Sequence, residues 1–234
     1  MSNIGFRVFL KVKRADTNLV ESFGNYPSAV IGDAMGRLGI MDTSIISMNK
    51  PGVKLVGTAL TVRTIPTDNL LVHKALELAK PGDVIVVSTG GGCKSHSIIG
   101  ANLVAKAEKI GVSGFVMDAP VRDVYDIRES SVAVYSTGST PAGPFKNGPG
   151  EINAGITCGG VSIKPGDIIV GDDDGIVVID KHDARIILEK TKKCAQREAE
   201  VGKAINEGNL VRKSIHQTLI EKGCEFIDAY WIPE

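Results

Sequence analysis

Gly114-Phe-Val-Met-Asp-Ala-Pro-Val-Arg-Asp123 decides the reading of this chain, because a short apolar run stops abruptly there and delivers an arginine beside a carboxylate. Gly114 to Met117 has the β-branched and aromatic character of a buried strand, and Asp118-Ala-Pro breaks it. In an open α/β sheet, ligands sit outside the carboxyl ends of the strands, where the loops leave. Arg122 and Asp123 lie at such an end and are the first candidates for a site.

Working outward, Val84 to Ser88 is apolar almost throughout, as an interior parallel strand covered on both faces should be. Gly90-Gly-Gly92 follows, the spacing then predicts a helix from about Ser97 to Ile110, and Gly111 ends it before the strand at Gly114. That is one βαβ unit. Beyond Asp123 a short helix to about Glu129 leads to Val132–Tyr135, a third parallel strand. Upstream, residues 6–12 form an edge strand, Ser28 caps a helix over Ala29–Leu38, Leu55–Val62 is a strand, and Asp68 caps a helix over Asn69–Ala79. Downstream, residues 138–150 are dense in Gly and Pro and read as a loop. Val161–Ile163, Ile168–Val170 and Ile176–Ile179, joined by tight turns, read as an antiparallel meander. From Asp183 to about Glu207 the spacing is helical, with Glu189 and Lys193 paired at i, i+4. The expectation is an α/β fold in one domain over residues 1–234, with a helical tail from about 183.

Lys plus Arg and Asp plus Glu number 27 each, so no net field favours nucleic acid or an anionic membrane. The first residues are apolar only in short pieces broken by charge, which is neither a signal peptide nor a spanning helix, and a cytoplasmic protein is expected. Cys93, Cys158, Cys194 and Cys224 are scattered without a Cys-x-x-Cys pair, which makes free thiols the expectation.

Several stretches invite a functional reading. Gly90–Gly92 could cradle a phosphate but lacks both the Gly-Lys-Ser/Thr ending of a P-loop and dinucleotide spacing. Asp172-Asp-Asp-Gly175 lacks the alternate acids of a calcium loop and reads as a hairpin turn. No acid accompanies His96 and Ser97 to complete a triad, and His73, His182 and His216 share no ligand spacing, so they receive no role. More informative is Ser97-Ile-Ile-Gly100-Ala-Asn-Leu103, where a glycine interrupts the start of a helix and leaves amides able to hold a carboxylate. Arg122 and Asp123 could be no more than a local ion pair. Chemically, though, Arg122 offers a planar cationic fork for a carboxylate or keto oxygen, and Asp123 a hard oxygen ligand.

Asp33-Ala34, Gly57-Thr-Ala-Leu-Thr-Val62, Asp68-Asn69, Gly100, Asp118-x-x-Val-Arg-Asp123 and Gly171-Asp-x-Asp-Gly-Ile-Val-Val-Ile179, in this order and spacing, resemble the family that unites 4-hydroxy-4-methyl-2-oxoglutarate aldolases with the regulator of ribonuclease activity A. The resemblance runs from about residue 20 to 207 and implies a swivelling α/β/β core with a partly parallel sheet, assembled as trimers or hexamers with sites between subunits. It places the substrate loop on Gly100, Ala101, Asn102 and Leu103, the substrate-binding arginine on Arg122 and the metal-ligating aspartate on Asp123. The family's enzymes usually carry an acidic residue where this chain has Ala101. Asp33 is a second candidate, and an acid from a neighbouring subunit's C-terminal segment would correspond to Glu198 or Glu200.

The activity implied is that of a magnesium- or manganese-dependent class II aldolase, a lyase that releases pyruvate from 4-hydroxy-4-methyl-2-oxoglutarate or a related 4-hydroxy-2-keto acid. Oxaloacetate decarboxylation is implied through the same pyruvate enolate, whose charge the cation and Arg122 would stabilise. The competing expectation is a non-catalytic regulator that binds ribonuclease E.

Overall fold

A computed structural model describes residues 3–209 and 213–231. In chain order the strands are β1 (Phe6–Val8), β2 (Ile46–Ser47), β3 (Leu55–Thr64), β4 (Asp83–Ser88), β5 (Gly114–Met117), β6 (Ala133–Ser136), β7 (Gly150–Ile152), β8 (Ile156–Cys158), β9 (Val161–Ile163), β10 (Ile168–Asp172) and β11 (Gly175–Ile179). The helices are α1 (Thr17–Ser22), α2 (Ser28–Ala34), α3 (Leu70–Leu78), α4 (Ala101–Ile110), α5 (Val124–Glu129), α6 (Ala184–Asn206) and α7 (Lys213–Glu221). Two compact units emerge, Met1–Cys194 and Ala195–Glu234. The α/β fold lies in the first. In the second, no described side chain is buried, and the His216 and Phe226 rings lie 4.8 Å apart.

Strand β3, ten residues long, organises the sheet. β4, β5 and β6 follow it in parallel on one edge. The other edge is shared, antiparallel, by β10 along Leu55–Thr58 and β7 along Val62–Thr64. Every residue of β4 and β5 is buried, and alternation divides them between two cores. Ile85, Val87, Phe115 and Met117 join Leu71, Val72 and Val104 from α3 and α4. Val84, Val86 and Val116 join Tyr135, Ile156, Cys158 and Ile169 on the opposite face. A Cβ on Gly114 would overlap the Ala133 carbonyl oxygen, so that glycine is required by the close approach of β6.

Local chemistry shifts several expected boundaries. Ser28 does not cap α2. Its amide and hydroxyl donate to Asp172 at 2.7 and 2.6 Å, tying the helix to the β10–β11 turn, and the helix stops at Ala34 because Gly36 and Arg37 adopt positive φ. The stretch Ser97–Gly100 is not helical, and α4 begins at Ala101 with the extended Gly100 as its N-cap. Antiparallel pairing is present over 161–179, but as two hairpins: β10 pairs with β11 and β3, whereas β9 pairs with β8. The edge strand is the short β1, parallel to β7. Glu189 pairs with Lys192 at 2.6 Å, one residue earlier than the i, i+4 pairing expected with Lys193.

Two buried carboxylates fasten the N-terminal segment. Asp83 accepts a forked pair from Arg14, at 2.9 Å from Nε and 2.7 Å from Nη2. Glu151, 3% exposed, accepts from Arg7 Nε at 2.6 Å and from Arg63 Nη1 at 3.3 Å. Burial pushes the Glu151 carboxyl up, but the Arg7 hydrogen bond, the Gly5 amide and the two guanidinium charges outweigh it and hold the group below the usual carboxylate range. Because the folded pKa is the lower one, the stabilisation is complete above the unfolded carboxylate value of about 4.3 and is lost as pH falls through the folded value. In a melting-temperature series from about pH 6 to about pH 3, the wild type should lose more stability than Glu151→Gln, with the two curves converging in acid. Parallel curves would show that this carboxylate does not couple to folding.

Candidate active site

The parallel strands β4, β5 and β6 all end on one side, and the loops that leave them continue to pair. Val121 bridges Ile99 on one side and Ser139 on the other, both in parallel. Arg122 N donates to Ile99 O at 3.0 Å, Ile98 N to Pro120 O at 2.9 Å, and Val121 N to Gly138 O at 2.9 Å. This narrow extension carries Arg122 and Asp123 beyond the sheet and sets them against the N-terminus of α4. Asp118 holds the base of the arrangement, since its Oδ1 accepts from the Thr89 amide and hydroxyl at 2.7 and 2.9 Å. The glycine run at Gly90–Gly92, which follows Thr89, does not line the site.

Asp123 takes the left-handed conformation, φ 59° and ψ 43°, which aspartate tolerates better than most residues. Its Oδ2 accepts from the Ala101 amide at 3.0 Å and lies 3.5 Å from Arg122 Nε. A carboxylate at a helix N-terminus is favoured by the dipole, so Asp123 has a structural task in addition to any chemical one. Leu103 N and Val104 N both turn back to Gly100 O. Of the first-turn amides, Asn102 N has no backbone acceptor among the described residues. Two glycines make the room: a Cβ on Gly100 would overlap Asp123 Oδ2 and Arg122 Cγ, and one on Gly143 would come within 2.6 Å of Arg122 Nη1.

The pair borders a cleft of about 130 Å³ lined by Asn69, His73, Gly100, Asn102, Arg122 and Lys146, and on its other side a more open hollow of about 340 Å³ beside Ser139 and Thr140. Structure therefore brings together Arg122, Asp123, Gly100, Asn102 and Leu103, with Ala101 joined through its amide. It adds Asn69, His73, Gly143 and Lys146, which the sequence reading did not select. Residues 144–147 are part of the site because Asp68, 1% exposed, and its neighbours grip them. Asn147 N donates to Asp68 Oδ2, Asn69 N to Phe145 O at 3.0 Å, and Phe145 N to Thr67 O at 2.8 Å. His73 is held below its usual pKa by burial first and then by Lys146 and Lys106, so its ring is neutral at pH 7. Asn69 is 3% exposed; its Nδ2 donates to Ile98 O at 2.8 Å, and its Oδ1 has no partner among the described residues.

Asp33 is exposed and lies 3.4 Å from Arg37, outside the cleft. Glu198 and Glu200 belong to the second unit, exposed, with Glu200 accepting from Gln196 at 3.3 Å. A larger groove of about 520 Å³ lies by Leu38, Val161 and Ile186, where Lys164 is already paired with Asp180 at 2.9 Å. Chemistry rather than volume selects the Arg122 cleft. Among the described residues no three His, Cys, Asp or Glu side chains converge to hold a metal ion. Asp123, the one carboxylate among the described residues lining the cleft, suits a cation that keeps most of its waters, as magnesium does, and not zinc with its three or four protein ligands.

Because Asp123 also caps α4 in a left-handed conformation, the two tasks separate by substitution. Asp123→Asn keeps an acceptor and tolerates positive φ, and should unfold within about 0.5 kcal/mol of wild type in urea. Asp123→Ala should lose about 1–2 kcal/mol. Equal stability of the Ala variant would show that the cap contributes nothing.

Comparison with known proteins agrees with this architecture. Residues 28–178 match the RraA-like family, described as Aldolase/RraA. A protein of Halalkalibacterium halodurans named "Putative 4-hydroxy-4-methyl-2-oxoglutarate aldolase" is 38% identical over 182 residues, 78% of this chain and 86% of that protein. One of the same name from Burkholderia multivorans is 39% identical over 125 residues, 53% of this chain and 75% of that protein. Among solved structures, Streptomyces coelicolor RraAS2, described as an unusual member of the RNase ES inhibitor RraA protein family, superposes with a TM-score of 0.70 at 29% identity, over 80% of this chain and 98% of its own. With its partly parallel sheet, its matched residues and these relatives, the chain belongs to the RraA-like family.

Proposed function

We propose that this chain is a divalent-metal-dependent lyase that cleaves 4-hydroxy-4-methyl-2-oxoglutarate, or a related 4-hydroxy-2-keto acid, to pyruvate, and that the same site decarboxylates oxaloacetate. The observation that carries the reading is the placement of Arg122 and Asp123 on a cleft otherwise polarised by Lys146 and the α4 N-terminus, in a chain with no net charge. The names of the two aldolase relatives support it.

The chain's own groups divide the work. The Arg122 guanidinium offers a forked, permanent cation to the keto oxygen or carboxylate of the substrate. The Asn102 amide and the positive end of α4 add partial charge for that carboxylate. Asp123 would hold the cation, magnesium or manganese, which when bound supplies Lewis acidity next to the keto group. In the cleavage the C3–C4 bond breaks and its electron pair stays on C3 as the pyruvate enolate. The C4 hydroxyl gives its proton to water as that oxygen becomes the carbonyl of the second product, and a proton delivered to C3 completes pyruvate. Arg122 faces the oxygen on which the enolate charge develops, so its interaction strengthens along the reaction. Loss of carbon dioxide from oxaloacetate leaves the same enolate. A cytoplasmic trimer or hexamer with sites between subunits belongs to the same proposal.

Pyruvate release from both substrates should require magnesium or manganese, stop in excess chelator, and fall about a hundredfold or more in Arg122→Gln and in Asp123→Asn. Undiminished turnover in either variant would sink the assignment. A second reading, a regulator that binds ribonuclease E, is favoured by the inhibitor family of the solved relative. A stoichiometric complex with ribonuclease E, together with no turnover of either acid, would select it.

A further inference from the structure

At about 130 Å³ the Arg122 cleft is smaller than the roughly 300 Å³ at which pockets for whole small molecules usually begin, so it takes the keto-acid head of a substrate and the rest lies in an adjoining space. His73, half-buried on the cleft wall, also lines a groove of about 510 Å³ with Leu76, Ala105, Lys106, Lys109 and Ile110. Two helices give these spaces one direction. Leu71 and Val72 of α3 and Leu103 and Val104 of α4 enter the same core, so the helices lie side by side on one face of the sheet. On α3 and its N-cap, Asn69 and His73 line the cleft, and His73 and Leu76 the groove. On α4, Asn102 lines the cleft, then Ala105 and Lys106, then Lys109 and Ile110 line the groove. Steps of three and four residues keep each set on one face of its helix. The furrow between the helices therefore starts at the cleft and runs toward their C-terminal ends, about 12 Å from Asn102 to Ile110 at about 1.5 Å per residue.

The chemistry changes along this furrow. Its head end carries the charges of Arg122, Asp123 and Lys146. Beyond His73 the walls are Leu76, Ala105 and Ile110 with the stems of Lys106 and Lys109, two exposed lysines whose ammonium ends reach water. Glu77, the acid on this groove, is already paired with Lys74 at 2.6 Å. The hollow on the other side of Arg122 is bordered instead by the hydroxyls of Ser139 and Thr140. A substituent made of carbon therefore gains from the groove and not from the hollow. We infer that the α3–α4 groove is a specificity subsite for an apolar substituent at C4, so that the preferred substrates are 4-hydroxy-2-keto acids carrying an alkyl or aryl chain there. The bond that breaks is unchanged. Pyruvate is still released, and the second product is the aldehyde or ketone that bears the chain.

This inference rests on the proposed lyase reading. With magnesium, pyruvate release is measured from 4-hydroxy-2-oxopentanoate and its longer homologues up to 4-hydroxy-2-oxodecanoate, on the wild type and on Ala105→Trp. Ala105 is exposed on α4, so the indole fills the groove without entering the core. Full burial of a methylene is worth a factor of about four and half burial about two, so kcat/KM should rise about twofold per added carbon in the wild type. In Ala105→Trp the rise should vanish while turnover of the pentanoate stays unchanged. A flat series in the wild type overturns the inference, and so does the same rise in the variant, since the chain then lies elsewhere. A lower sedimentation mass for the variant marks the groove as a contact between copies and also overturns it. If the wild type turns over none of these acids, the lyase reading fails and binding decides. In calorimetry the affinity of 2-oxo acids should then climb from 2-oxopentanoate to 2-oxodecanoate in the wild type and stay level in Ala105→Trp, and any other pattern overturns the inference.

Discussion

The tie between residues 98–101 and 120–123 is the constraint on which the rest of the site depends. Arg122 N reaches Ile99 O, and Asp123 Oδ2 takes the Ala101 amide. A parallel sheet normally ends where its loops begin, and the directions of those loops are then set by their own turns. Here the pairing is prolonged by single bridges through Val121, so the loops after three adjacent strands stay in register with one another. The start of α4 and the end of the β5 loop become one rigid object. A cation, a carboxylate and a helix dipole therefore keep a fixed geometry on the surface with little conformational freedom left to lose.

The same tie places a burden on Asp123. Its carboxylate caps a helix, faces an arginine and occupies a left-handed backbone conformation at a half-exposed position. Gly100 and Gly143 are the complement of that crowding, since a methyl group at either would strike the arginine or the carboxylate. Regulators and lyases built on one scaffold share such packing requirements, and for that reason fold and family by themselves do not separate them. Among the described residues two polar atoms of the residues around the cleft have no partner, Asn69 Oδ1 and the Asn102 amide at the helix start.

Much of the architecture was legible from local pattern. The runs at 84–88 and 114–117 are apolar without interruption because both faces are covered, and glycine at 111 marks a helix end, since its φ of 84° is closed to most residues. Ser28 misled, as a serine ahead of a helix is a common cap, yet its hydroxyl found a carboxylate 144 residues away. The helix expected from Ser97 began at Ala101 because bridging to Val121 outcompeted helical turns for Ser97–Gly100. Loop 138–150 showed only its Gly and Pro content, and the grip of Asp68 on Asn147 that turns it into a cleft wall has no local signature.

By itself the sequence determined the family, the strand and helix alphabet, and the Arg122-Asp123 pair, because each of these rests on residue type and spacing along a short stretch. Tertiary structure alone decided that Asn69, His73 and Lys146 share one cleft with that pair, that the Ala101 amide is spoken for, and that Asp33 stands apart. The physical reason is range. Periodicity and capping act over a few residues, whereas a site is closed by hydrogen bonds between segments far apart in the chain, such as Asn69 to Ile98 and Asp68 to Asn147, whose partners no local pattern names.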